Sequence, residues 1–257
     1  MSGRIRVYYS IIQRIVMTIN NKNMTISFAI SEWSGWQSTF SDESADALSD
    51  VTISEVPDVA MIPPMLRRRL NLLGRACASE MIKHLKDGDN IPIVYCSQHG
   101  DIERTLNVLS ELVDDQPVSP MHFSLAVHNA ICGVLSIQAG LTANISTIAA
   151  GQQGLVPVFL EAAGILMGGA DKVLCVICDV LLPEIYRDEQ SLPKIPYAIS
   201  FVMTRSDGVN LTLQQLLLNK NMSHANPSPT SLIEFLATKQ TELLIEHNSV
   251  TWALSRD

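Results

Sequence analysis

The sequence is short of charge. Only 17% of its 257 residues are Asp, Glu, Lys or Arg, against about 25% in an ordinary soluble domain. With 47% hydrophobic residues, this excludes intrinsic disorder, which needs low hydrophobicity and high net charge. Basic residues are the scarcer kind. Lys and Arg number 18 and Asp and Glu 26, a formal net charge of −8. The basic face of a nucleic-acid-binding protein is therefore lacking, and nucleic acid is not an expected partner. Glycine (13) and proline (12) are too few for a collagen-like chain. No stretch reaches the roughly 18 uncharged apolar residues of a membrane helix; Gly, Gln or a charge interrupts each long apolar run, so no membrane span is expected. The five cysteines, Cys77, Cys96, Cys132, Cys175 and Cys178, are odd in number and lie mostly in apolar runs. They read as reduced thiols of a cytoplasmic protein, not as a disulfide framework.

Motifs for common chemistries are also lacking. There is no GxSxG elbow, no GxxxxGK[ST] loop and no GxGxxG after a strand, and none of the six histidines is spaced to put two ligands on one helix face. Neither a metal nor a cofactor is expected. Cys175-Val176-Ile177-Cys178 has CxxC spacing, but residues three apart in a strand face opposite sides. These two thiols are expected to be core residues.

The charge that is present is unevenly spread. Residues 1–23 hold Arg4, Arg6, Arg14 and Lys22 and no acid, so the remainder carries −12. Arg14 breaks the apolar stretch after the basic start and no cleavage site follows, which argues against a signal peptide. We expect residues 1–23 to be an upstream extension or mobile arm, with Met17 and Met24 as alternative starts. Residues 24–218 read as the main domain, and 219–257 as a linker followed by a terminal helix and strand.

Periodicity predicts alternating strands and helices. Strands are expected at Met24–Ile30, Ile91–Cys96, Asn144–Ile148, Lys172–Val180, Tyr197–Thr204 and Val250–Ser255, with Val209–Leu218 as an extension. Helices are expected at Met65–Leu85, Asp101–Leu112 (Leu106, Val108, Leu109 and Leu112 inward), His128–Gln138, Gln153–Met167 and Ser231–Glu246. In the last, Ser231 and Glu234 suggest a capping box. Ser31–Val56 reads as a polar loop. The alternation implies an α/β protein, a mixed five-stranded sheet with helices on both faces.

From Gln116 to Ala170 there are 55 residues with one charge, Glu161. A solvated surface needs more polarity, so this segment is expected to be buried nearly all round. Within it, Asn144–Gly154 reads as a strand, a tight turn and an apolar helix, which presents the turn at a helix N-terminus, where dipole and free N–H groups lower a thiol pKa. The turn holds Ala149, Ala150 and Gly151, so the place lacks a nucleophile. His128 and Asn129 open the preceding helix, either as a capping pair at a buried terminus or as the remnant of a ligand pocket. Arg67, Arg68 and Arg69 form the main domain's dense basic cluster, either a solvated helix start or a docking spot for an acidic partner such as a carrier protein.

Four stretches then resemble the N-terminal half of β-ketoacyl synthases, of the thiolase-like superfamily. They are Pro63–Arg75, Ser97-Gln98-His99-Gly100-Asp101, Ser119-Pro120 through Phe123–Ala130, and Ser146–Gly151 with Gly168-Gly169-Ala170-Asp171. The resemblance implies a thiolase-like half-fold across roughly residues 24–210. In condensing synthases the motif ending Ser-Thr-Ala-Cys carries the acyl-accepting cysteine. Anchored on Ser146-Thr147, that cysteine falls at Ala149, and a small gap would move it to Ala150 or Gly151. The synthases' catalytic histidines belong to a C-terminal half that would follow about Thr212, and His224 and His247 sit in no matching motif. The chain thus resembles the truncated, chain-length-factor-like partner subunits of aryl polyene biosynthesis. Such factors often carry Gln in place of the cysteine; Gln152 and Gln153 lie nearby but are displaced.

The resemblance implies a heterodimer with a full-length β-ketoacyl synthase in polyene or fatty acyl elongation. Asn144, Ile145, Ser146, Thr147 and Ile148 would pair with the partner's strand. Ala149, Ala150, His128, Asn129, Gln152 and Gln153 would lie near a tunnel or interface. Acyl carrier protein is a second expected partner, docking at Arg67–Arg69. Two alternatives stay open: a homodimeric acyl-binding module, and a weak malonyl decarboxylase using Gln152 or His128. A charge-poor segment fully sheltered within one subunit, or a thiol from elsewhere reaching the vacant turn, would count against the heterodimer.

Overall fold

The computed structural model describes residues 18–20, 23–38, 50–86, 88–151, 154–186, 193, 195–216 and 230–257. Its centre is one mixed sheet of ten strands, twice the expected number. The strands are β1 (Thr18–Asn20), β2 (Asn23–Gln37), β3 (Val51–Ile53), β4 (Ile93–Cys96), β5 (Ile145–Ile148), β6 (Lys172–Asp179), β7 (Tyr197–Thr204), β8 (Val209–Gln215), β9 (Glu242–His247) and β10 (Val250–Arg256). Their order is β5-β4-β6-β7-β2-β8-β10-β9, with β1 and β3 also paired to β2. β5, β4 and β6 run parallel; β6-β7-β2-β8-β10-β9 is antiparallel throughout.

β1, β3 and β9 lie outside the expected strands, and β2 is longer than expected; β3 and the second half of β2 replace part of the expected polar loop Ser31–Val56, pairing at Gly35–Gln37. β2 continues to Gln37 instead of ending at Ile30, because a bulge between Ile30 and Glu32 lets one strand pair with β8 in its first half and β7 in its second. Trp33 and Trp36 are therefore sheet residues. Trp36 is buried and its Nε1 donates to Ser54 Oγ at 3.0 Å. The expected helix at Ser231–Glu246 stops at Ala237, and Glu242–His247 becomes β9. The reason lies in the turn that follows. Asn248 and Ser249 both have positive φ (50° and 62°), the backbone of a tight hairpin, and Leu243 and Ile245 alternate into the core. Thr18–Asn20 pairs with the start of β2. The expected linker at 219–229 lies outside the described residues.

Seven helices are described: α1 (Pro64–Arg67), α2 (Leu72–Lys83), α3 (Ile102–Val113), α4 (Pro120–Leu125), α5 (Ala130–Ala139), α6 (Leu155–Met167) and α7 (Thr230–Ala237). The expected helix Met65–Leu85 is split in two. Asn71 is extended and its side chain accepts from Gly74 N at 3.1 Å, capping a fresh helix while the apolar spacing runs on unbroken.

The helices cover both faces. On one, α6 and α7 pack Leu155, Phe159, Leu166, Leu232 and Phe235 against Phe28, Phe201 and Ile245. On the other, α1, α2 and α5 pack Leu66, Leu73, Met81 and Ile131 against Tyr95, Val176 and Cys178. Cys175 and Cys178 fall in opposite cores, as three-residue strand spacing requires. All five thiols are buried and unpaired.

Candidate functional site

The three parallel strands end together at Ile148, Cys96 and Asp179. Sites in such sheets form beyond the carboxyl ends of the strands. There Asp179 gathers three donors: Ser97 Oγ at 2.8 Å, Gln98 N at 2.8 Å and Tyr197 OH at 3.0 Å. Burial pushes its carboxyl above the usual range, although these three hydrogen bonds and nearby His99 pull the other way. Ser97 Oγ in turn accepts from Gly100 N at 3.0 Å. His128 Nε2 lies 2.9 Å from Ser97 O; a carbonyl only accepts, so this nitrogen bears the proton. The His128 ring leans on Tyr95 at 5.8 Å between centroids.

The Ser97–Asp101 motif thus acts as a bracket between elements. Asp101 caps α3 by accepting from Arg104 N at 3.1 Å and also accepts from Asn71 Nδ2 at 2.8 Å, which ties the starts of α2 and α3 together. Arg104 Nε donates to Asp101 Oδ2 at 2.9 Å, and its Nη2 to Arg69 O at 3.1 Å. Asp179, Tyr197 and Asn71 were not among the expected site residues, and Asp101 entered only as the end of the Ser97–Asp101 motif and the start of a helix. The signal for Asp179 was its place as the one acid ending a strand that is otherwise apolar after Lys172.

The turn Ala149-Ala150-Gly151 follows β5. Ala149 is exposed, Ala150 half-buried, and Gly151 adopts φ of 62°, a left-handed conformation that suits glycine. Gln152 and Gln153 lie outside the described residues. Gly154 then caps α6, which approaches β4 so closely that a Cβ there would overlap Cys96 Sγ. A thiol does lie beside the turn: Cys96, held near Ala150 by a backbone hydrogen bond. Burial first, and then the Asp179 carboxylate, push this thiol up to about 12. It stays protonated at neutral pH, and the thiolate is the nucleophilic form.

The charge-poor segment is less buried than expected. β5 is the outermost strand on its side of the sheet, and all four of its residues are half-buried. α6 buries most of its surface but leaves a stripe at Glu161, Gly164 and Met167 in the open. Phe123 and Ile137 are 61% and 83% exposed. On α3 only Val108 is buried, while the expected inward residues Leu109 and Leu112 face out. Asn144 and Asn129 are exposed. Asn129 occupies the cap position of α5 without a side-chain cap bond, so the expected capping pair at a buried terminus is not formed.

Of the basic cluster, Arg67 is half-buried and its Nη2 donates to Ile62 O at 2.9 Å; Arg68 and Arg69 are exposed beyond the one-turn α1. Among the described residues, no three His, Cys, Asp or Glu side chains converge as metal ligands. No helix among them is long and apolar enough to cross a membrane.

The fold is that of a ketosynthase-like protein. The chain belongs to the family defined by the β-ketoacyl synthase N-terminal domain, whose model matches residues 33–255. Among solved structures it is similar to a chain of the complex of a ketosynthase (ApeO) with its chain length factor (ApeC) from Xenorhabdus doucetiae. Identity is 23%, the TM-score is 0.72, and the match covers 90% of this chain and 99% of that one. A second similar structure is the ishigamide ketosynthase/chain length factor, at 14% identity and a TM-score of 0.55, covering 69% of this chain and 62% of that one. No curated protein matches. These likenesses establish a thiolase-like α/β fold.

Proposed function

We propose that this chain is a non-catalytic, chain-length-factor-like subunit. It pairs with a full-length β-ketoacyl synthase during elongation of a polyene or fatty acyl chain. The observation that carries this reading is the edge of β5, which pairs with β4 alone among the described residues. Ile145–Ile148 has no charge, bulge or proline to blunt it, and an uncovered edge of that kind invites another strand. Exposed apolar residues on α3, α4, α5 and α6 add further uncovered apolar area. An interface of the obligate kind buries on the order of 2,000 Å² or more, which would cover both.

Asn144–Ile148 supplies the paired edge, and Ala149, Ala150, His128 and Asn129 lie beside the tunnel or interface. With alanine at the nucleophile position and Cys96 held protonated, this subunit shapes the chamber and leaves acyl transfer to its partner. Exposed Arg68 and Arg69, with Arg67, offer a docking spot for an acidic carrier protein. Five unpaired thiols fit a cytoplasmic setting.

The test is co-expression with the full-length synthase encoded nearest to this chain's gene, followed by size-exclusion chromatography. A one-to-one complex is expected. Thr147→Lys, which places a charge in the edge strand, should weaken that complex at least tenfold. A well-behaved monomer that ignores the synthase would refute the reading.

A further inference from the structure

Resting on the proposed pairing through β5, we infer that Glu161 selects the partner. It bars a second copy of this chain and calls for a non-identical chain with a cationic side chain beside its own edge strand. Glu161 is the single charge among the 55 residues from Gln116 to Ala170. It is exposed on α6, in the open stripe with Gly164 and Met167. Ser146, in the body of β5, donates to its Oε1 at 2.6 Å. The carboxylate is therefore fastened to the open edge. A Cβ on Gly164 would meet nothing within 4 Å, so the stripe is clear for an approaching element.

A symmetric dimer would juxtapose the two carboxylates. A four-residue strand that pairs antiparallel with its own copy places the two-fold axis near its middle, and groups close to that axis meet their own images. Each Glu161 would then face the other across an apolar surface, with no Lys or Arg between Gln116 and Ala170 to separate them. Like charges repel more strongly as water is excluded. The carboxylate has about four acceptor positions, and Ser146 uses one. Once desolvated, the rest need donors. A Lys or Arg on a different chain supplies the opposite charge and the donors together. The edge that would otherwise make self-pairing easy thus carries its own obstacle.

The experiment compares wild type, Glu161→Gln, Glu161→Lys and Ser146→Ala by sedimentation and native mass spectrometry. Each is measured alone and with the synthase encoded nearest to this gene, with far-ultraviolet dichroism confirming that each variant is folded. Glu161→Gln should raise self-association at least tenfold. Glu161→Lys should leave self-association low, since like charges still meet, while weakening the heterodimer at least tenfold. Ser146→Ala should keep the chain from self-pairing, because the charge remains. If Glu161→Gln self-associates no better than wild type while the heterodimer forms normally, the selection role of Glu161 is overturned and the heterodimer stands. If wild type forms a tight homodimer, or binds no synthase, the pairing itself fails and the inference with it.

Discussion

Replacing Gly154 with alanine tests how α6 is seated beside the turn that follows β5. The backbone at Gly154 is already helical, with φ −63° and ψ −2°, so the substitution adds no conformational strain. Its effect is steric. The new methyl would overlap Cys96 Sγ and come within 3.3 Å of Cys96 Cβ, with Ile177 Cγ2 behind at 3.7 Å. Ordinary carbon contacts are about 3.5–4.0 Å, and Cys96 is in the core, so the helix start must move outward. Overpacking of this kind costs about 1–3 kcal/mol. For a chain of this length, 2 kcal/mol lowers Tm by roughly 4–8 °C. Cys96→Ala removes the obstructing sulfur, so Gly154→Ala with Cys96→Ala should be more stable than the two single effects added together, by about 1 kcal/mol or more. Urea titration of the four proteins gives the coupling energy. A Gly154→Ala protein as stable as wild type, or additive effects in the double variant, would refute the packing argument.

Phe159 on α6 stacks on Phe28 at 5.0 Å and meets Phe201 at 5.5 Å between ring centroids. Phe159→Ala should therefore cost about 3–5 kcal/mol in urea denaturation, and a loss under 1 kcal/mol would contradict a central place for α6. Burial holds the His84 imidazole below its ordinary 6.5, against the pull of the Glu32 carboxylate. Above pH 6.5 both folded and unfolded chains keep it neutral. Below 6.5 the unfolded chain takes up the proton first, so His84 removes stability until its folded pKa is passed. His84→Gln should lose that part of the acid dependence between pH 7.5 and 5; an unchanged stability profile would show that His84 does not contribute. The two interface predictions, Thr147→Lys against the heterodimer and Glu161→Gln toward self-association, separate pairing from partner choice.

Much of this protein was legible in one dimension. Apolar spacing located most elements, and Tyr197–Thr204 matched to the residue, because a short, mostly apolar run rich in β-branched and aromatic residues between turn signals suits a buried strand. That spacing is a local fact, and local chemistry decides it. The charge gap from Gln116 to Ala170 implied burial nearly all round, and there the structure differs: β5 is half-buried, and Phe123, Ile137, Glu161 and Met167 are exposed. Sequence reasoning failed where distant residues decide. Glu242–His247 reads as helix until Asn248 and Ser249 fold it back onto β10. The sheet doubles in width because β2 bridges two sets of partners across a bulge. Asp179 and Tyr197 meet Ser97 only because β4, β6 and β7 lie side by side, although Ser97 and Asp179 are 82 residues apart. The charge gap alone could not say which face would be left open. The order of strands decided that, by putting β5 at the rim of the sheet, where its outer edge and the exposed stripe of α6 pack against nothing among the described residues.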